Sequence, residues 1–218
     1  MPSLARAHAF VDAVGAADLV TFDGTRPVAT LLPVIWDRPA AAQPADGEAP
    51  GFGRLLGHLA LANDQWQTAS PGAQALAIVH GPQAYVSPGW YESTARHGRT
   101  VPTWNYEAVH LTGPLTMHRD PEWLREVVTR LTRRHEDFRP RPWEVTDAPP
   151  DYISGQLRAI VGVELTIVSV EAKQKLSQNR STADQLGAIE GLHAEPGPGP
   201  AAIADEMLTS LANNHHPA

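Results

Sequence analysis

The chain has 218 residues, no cysteine and a formal charge of −7, enough length for one large domain or two small ones. With 42% hydrophobic and 19% charged residues it reads as globular, and the absence of Cys excludes disulfides, zinc–thiolate and iron–sulfur sites, thiolate-ligated haem and a Cys nucleophile. No apolar run reaches the roughly 20 residues of a membrane helix, the opening residues lack a signal-peptide pattern, and an acidic chain binds nucleic-acid backbones poorly, so a cytoplasmic protein with neither membrane nor nucleic-acid partner is expected.

The first third reads as strands. Leu19 to Phe22 and Val28 to Trp36 are β-rich, with Asp23-Gly24 a turn signal between them. Asp37 to Pro50 reads as an exposed loop. Gly53 to Asn63 predicts a strand that gives way to a short helix or turn near His58. Ala75 to His80 and Gln83 to Ser87 predict two strands broken at Gly81-Pro82, and Thr103 to Met117 a long strand region interrupted at Gly113-Pro114.

The second half changes period. Asp120 is an N-cap, Pro121 suits the first helical position, and Leu124, Val127, Val128 and Leu131 recur at helical spacing. Pro149-Pro150-Asp151 opens another helix through about Leu157. Val161, Val163, Leu165 and Ile167 alternate, then the phase slips to Val168 and Val170, which predicts one bulged strand over Ile160 to Val170. Ser181 to Leu192 predicts a helix with Ser181 and Asp184 in a capping arrangement, and Pro196 to Pro200 a stiff linker before a short amphipathic segment. The domain expectation is therefore 1–195 as core and 196–218 as linker and tail. Many short strands followed by helices point to an α+β fold, a β-barrel with helical additions.

Two stretches hold candidate chemistry. HGPQAYVSPGWYES and VPTWNYEAVHLTG carry Tyr85, Trp90, Tyr91, Trp104 and Tyr106, aromatics that suit a planar cofactor or a dimer interface as well as a barrel core. Lys173, Lys175, Ser177, Gln178, Asn179 and Arg180 form a basic, hydroxyl-rich turn before a helix, suited to a phosphate or carboxylate or to a solvated strand end. The sequence holds no HExxH, GxSxG, P-loop or GxGxxG after a strand, which sets aside hydrolase, NTPase and Rossmann readings.

The blocks GHLALANDQW (57–66), HGPQAYVSPGWYES (80–93), VPTWNYEAVHLTG (101–113), DAPPDYISGQLRAIVGVEL (147–165) and KLSQNRSTAD (175–184) resemble the PaiB-like family, in order along the chain. That resemblance implies the split β-barrel of pyridoxamine-phosphate-oxidase-like flavoproteins, FMN binding, negative transcriptional regulation, and a homodimer with cofactor at the subunit interface. The sequence departs from the family pattern in three places. The usual Tyr, Pro and His-Phe of the opening are not recognisable in MPSLARAHAF, Thr30-Leu31-Leu32-Pro33 replaces Asn-His-Leu-Pro, and Lys173-Gln174-Lys175 replaces Lys-Trp-Lys.

A divergent branch, the piperazate synthases, binds haem and closes N5-hydroxyornithine to piperazic acid with loss of water. The leading expectation is a haem-dependent enzyme of that kind acting on a small-molecule substrate with haem b. The alternative is an FMN-binding regulator or a flavin-dependent oxidoreductase. Within the haem reading, the absence of Cys leaves a nitrogen or oxygen ligand. His58 is the expected axial ligand, because it follows a Gly where the strand was expected to end, and His110 and His80 stand behind it. His118 and His135 belong to the helical half, away from the aromatic block. Tyr85, Tyr91, Tyr106 and Glu107 are the candidate proton donors. Trp90 and Trp104 would lie against the cofactor, with Lys173, Lys175 and Arg180 on its propionates or the substrate carboxylate.

Overall fold

A computed structural model of the protein describes residues 3–38, 51–70 and 72–214. Most of the loop expected over residues 37–50 lies outside the described residues. Helix α1 (Leu4–Val14), which the sequence reading left unassigned, is capped by Ser3, whose hydroxyl accepts from Arg6 N–H, and ends at Gly15 with φ 71°. Strands β1 (Ala16–Phe22) and β2 (Pro27–Asp37) form the expected hairpin, paired from Ala16↔Pro33 to Phe22↔Pro27. Asp23 builds its turn, with Oδ1 accepting from the N–H groups of Thr25 and Arg26.

The remaining strands are β3 (Arg54–Ala60), β4 (Gln74–Val86), β5 (Thr103–His118), β6 (Ile160–Thr166) and β7 (Ser169–Lys175). Their hydrogen-bonded order is β4-β1-β2-β3-β6-β5-β7, and β4 also pairs with β5. Six strands thus close into a barrel, with β7 added beside β5. At the closure, Leu115 N–H donates to the Ala73 carbonyl and its own carbonyl accepts from Gly72 N–H. Register puts Leu55, Gly57 and Leu59 beside Leu165, Val163 and Val161, one side-chain face of the pleat, and this face fills the barrel.

The helices are α2 (Gln65–Thr68), α3 (Glu92–His97), α4 (Pro121–Glu136), α5 (Pro150–Arg158), α6 (Thr182–Ala194) and α7 (Pro198–Asn214). Asp120 caps α4 as expected, accepting from the N–H groups of Glu122 and Trp123. Leu56 of β3 packs against Val127 and Leu131 of α4, so the outer face of β3 lies beneath that helix.

Four expectations change. β3 runs straight through His58, and β4 and β5 are continuous across Gly81-Pro82 and Gly113-Pro114. Gly113 is a point of close backbone approach, since an added Cβ would lie 1.7 Å from the Thr166 carbonyl oxygen. The phase slip near residue 168 is a change of strand and not a bulge. β6 ends at Thr166, and Ile167 and Val168 donate to the carbonyls of Gly53 and Thr112 before β7 starts. The expected linker at 196–200 is where α7 begins, and Ile203, Ala204 and Met207 of that helix are fully buried with Leu192 and Tyr91.

The described chain divides into two compact units, 3–79 with 109–171 and 80–108 with 172–214. Both sides of the expected boundary at 195 fall within the second unit.

Candidate functional site

In the first unit the site is built on β3. Alternation puts Arg54, Leu56 and His58 on the outer face, and His58 stands opposite Gly162 of β6. Gly162 is required there because a Cβ would lie 2.1 Å from the ring of Trp123. His58 lines a cavity of about 350 Å³ with Pro33, Leu131, His135, Glu136 and Trp143. Its Nδ1 is buried without a hydrogen-bond partner, and burial pushes the imidazole pKa below its ordinary value, so the ring is neutral at pH 7. Leaving such a nitrogen unpaired costs on the order of 1–3 kcal/mol, a penalty a ligand on that atom would relieve. Glu136 is already engaged, with Oε1 3.0 Å from Arg139 Nε and Oε2 accepting from Trp143 N–H.

His135 is the member of this cavity that the sequence reading set aside. It follows Leu131 by four residues on α4 and so shares the face that Val127 and Leu131 press on β3. That spacing was the available signal. His58 lies in mid-strand, so the strand-end argument for it fails, although the residue does face a cavity. His110 on β5 is half-buried and His80 on β4 is exposed. His118 stacks on Trp123 at 4.0 Å and meets Glu164 at 3.1 Å, which makes it part of the packing under α4. Among the described residues no group of three or more His, Cys, Asp or Glu is arranged to hold a metal ion.

In the second unit the aromatic block divides by face. Tyr85 and Trp104 are 49% and 48% exposed, and Trp104 Nε1–H donates to Gln83 Oε1, which puts residues 83, 85, 104 and 106 on one outward face of β4 and β5. Asn105 and Glu107 point the opposite way and are buried, Asn105 against Ser177 and Met207, Glu107 accepting from Gln174 Nε2. Neighbouring Tyr106 and Glu107 therefore cannot serve one reacting atom from the same face of the sheet.

Tyr91 is buried in the α6–α7 core with its hydroxyl unpartnered, and the Arg180 guanidinium lies 4.7 Å from its ring centre. Trp90 seats on α6, where a Cβ at Gly191 would be 2.2 Å from its ring. Lys173 and Lys175 are exposed on β7. Asp184, expected only in the cap of α6 where its N–H does donate to Ser181 Oγ, has a further role the sequence reading missed, its carboxylate accepting from both the N–H and the hydroxyl of Ser93, at 2.9 and 2.8 Å. Burial alone would raise its pKa, but these hydrogen bonds outweigh burial and hold it below the usual carboxylate range.

The chain's likeness to known proteins agrees with this architecture. A family model described as "Putative FMN-binding domain" matches residues 1–169. The protease synthase and sporulation protein PAI 2 of Bacillus subtilis is 31% identical over 208 residues, covering 93% of this chain and 90% of that protein. Among solved structures, a FAD- and haem-binding protein of Mycobacterium smegmatis superposes with a TM-score of 0.55 at 15% identity, over 86% of this chain and 78% of that one. The flavocytochrome Anf3 of Azotobacter vinelandii does so with a TM-score of 0.52 at 15% identity, over 79% and 67%. At such identities the two structures establish the fold, a split β-barrel, and the sequence matches establish kinship: this chain belongs to the FMN-binding, PaiB-like family.

Proposed function

We propose that this chain is a flavin-binding protein of the PaiB-like family, holding FMN as a homodimer on the outward face of β4 and β5. The observation that carries the reading is the exposed pair Tyr85 and Trp104, each about half open to solvent on one sheet face, with Trp104 held by Gln83. Large aromatics left open on a rigid sheet suit a planar ring or a second copy of the same face. Lys173 and Lys175, exposed on β7, offer cations for a phosphate. Family membership favours FMN over other planar groups. A net charge of −7 argues against direct contact with DNA, so any regulatory role would run through a protein partner.

Titration with FMN tests this, followed by flavin absorbance and sedimentation. Saturable FMN binding by a dimer, weakened about tenfold or more in Trp104→Ala, is the expected result. A protein that takes up no FMN, or one whose FMN binding ignores Trp104→Ala, overturns it.

A second reading, haem with ring closure of N5-hydroxyornithine, is favoured by one specific observation, the buried unpaired Nδ1 of His58, a residue that also lines a cavity. Haem, when bound, would supply a Lewis-acidic iron for cleaving the substrate N–O bond as water leaves and the N–N bond forms. The neutral His58 offers its lone pair without first losing a proton. Leu131 and Trp143 supply an apolar wall on one side of the hollow. A Soret band on adding haemin, lost or shifted in His58→Ala, is the outcome this reading requires; a flavin spectrum with no Soret band discards it.

A further inference from the structure

Three of the arginines on α4 pair with carboxylates. Arg130 meets Asp37 at 2.7 Å, Arg133 meets Glu144 at 3.3 Å, and Arg134 meets Asp12 at 2.8 Å. Arg119, Arg125 and Arg158 have no ion-pair partner among the described residues, yet all three line one cavity of about 310 Å³. Its wall includes Leu124 and Leu157, which are buried together where α4 and α5 pack, so two helices fix the frame.

No carboxylate lines this cavity. Neighbouring Asp120 is committed to the backbone N–H groups that start α4. Ser154, also in the lining, donates its hydroxyl to the Pro150 carbonyl at 2.9 Å, which leaves recognition to the three guanidinium groups. The Arg119 guanidinium also lies 5.6 Å from the ring of Trp66, which lines a neighbouring hollow that Arg119 shares.

Three like charges around one hollow repel one another and gain only from a multivalent anion. Guanidinium forks match the geometry of phosphate oxygens, and a dianion answers the charge better than a carboxylate does. The volume sits at the low end for small-molecule sites, too small for a dinucleotide. We propose that this cavity binds a phosphate monoester, with the phosphate among Arg119, Arg125 and Arg158 and a short apolar body against Leu124 and Leu157. The proposal stands apart from the cofactor reading and uses none of the residues assigned to it.

Calorimetric titration of the full chain with phenyl phosphate, and separately with inorganic phosphate, tests it. Phenyl phosphate should bind saturably and more tightly than inorganic phosphate, with affinity falling as salt is raised. Arg125→Gln with Arg158→Gln should weaken binding about tenfold or more while circular dichroism and FMN uptake stay unchanged. Arg125→Lys should keep part of the affinity.

Three results overturn the proposal: no saturation at millimolar phenyl phosphate, binding indifferent to the double substitution, or loss of FMN uptake along with phenyl phosphate. The last would make the cavity a subsite of the cofactor pocket. Equal affinity for inorganic phosphate would overturn the role of the leucine wall and leave a site for free phosphate.

Discussion

A buried imidazole nitrogen with no partner stabilises nothing, and this sets what its removal should do. His58→Ala is expected to change the unfolding free energy by less than about 1 kcal/mol, because lost packing is offset by loss of the unpaired atom. Leu56→Ala, two residues earlier on the same face and 2% exposed, should cost about 2–5 kcal/mol. Urea unfolding of the two variants checks the contrast, and a large loss at His58 would mark it as structural. Asp184 is the opposite case, a buried carboxylate fully used. Its folded pKa is depressed, so as pH falls the unfolded chain takes the proton first; the stabilisation is complete above about pH 4 and drains away as pH drops through the folded value. Asp184→Asn should therefore cost about 1.5–3 kcal/mol at neutral pH, and the gap from the parent protein should close in acid. Neither environment was legible in the sequence. A strand-borne His and a helix-borne Asp carry no local mark of which partners the fold will bring or withhold.

At the scale of elements, what could be read was what local chemistry decides. Asp120-Pro121 started α4 where capping and proline geometry require, and Asp23 closed the β1–β2 turn with its own carboxylate. The errors arose where a local signal met a long-range contact. Gly113 read as a break because glycine weakens strands, but its role is to admit the Thr166 carbonyl. The proline- and glycine-rich run after Glu195 read as a linker, yet α7 starts inside it and is held by α6. Helix α1 carried both of its end signals, Ser3 and Gly15, but only Ala7 and Val11 are buried, too thin a stripe to stand out. Truncation after Glu195 is expected to destabilise the protein severely, since burial of Ile203 and Met207 contributes about 1.5–3 kcal/mol each. Thermal unfolding and light scattering would show an early, aggregating transition; an unchanged melting curve would mean the helix is dispensable. Gly191→Ala should cost about 1–3 kcal/mol, because the methyl group would enter the ring of Trp90.

At the scale of the whole molecule, the fold class was legible because strand-rich and helix-rich halves differ in period, and because five ordered sequence blocks resemble one family. The cavity under α4 was not, since it exists only once α4 lies across β3 and brings His135 and Trp143 to His58. The arginine hollow escaped for the same reason, its members lying just before α4, within α4 and at the end of α5. The division into units that interleave along the chain has a temporal consequence. Residues 80–108 emerge from the ribosome long before 172–214, with which they form one compact body. Until then Ala84, Val86 and Tyr91 have no α6 or α7 to cover them. The nascent protein must carry an unfinished hydrophobic surface through about half of its synthesis, the interval in which chaperone binding and misassembly compete with folding. A fragment ending at residue 171 should accordingly be cut by trypsin at Arg96 and Arg99 faster than the complete chain, in which both arginines are already exposed, and the rates of a timed digest followed by mass spectrometry distinguish the two.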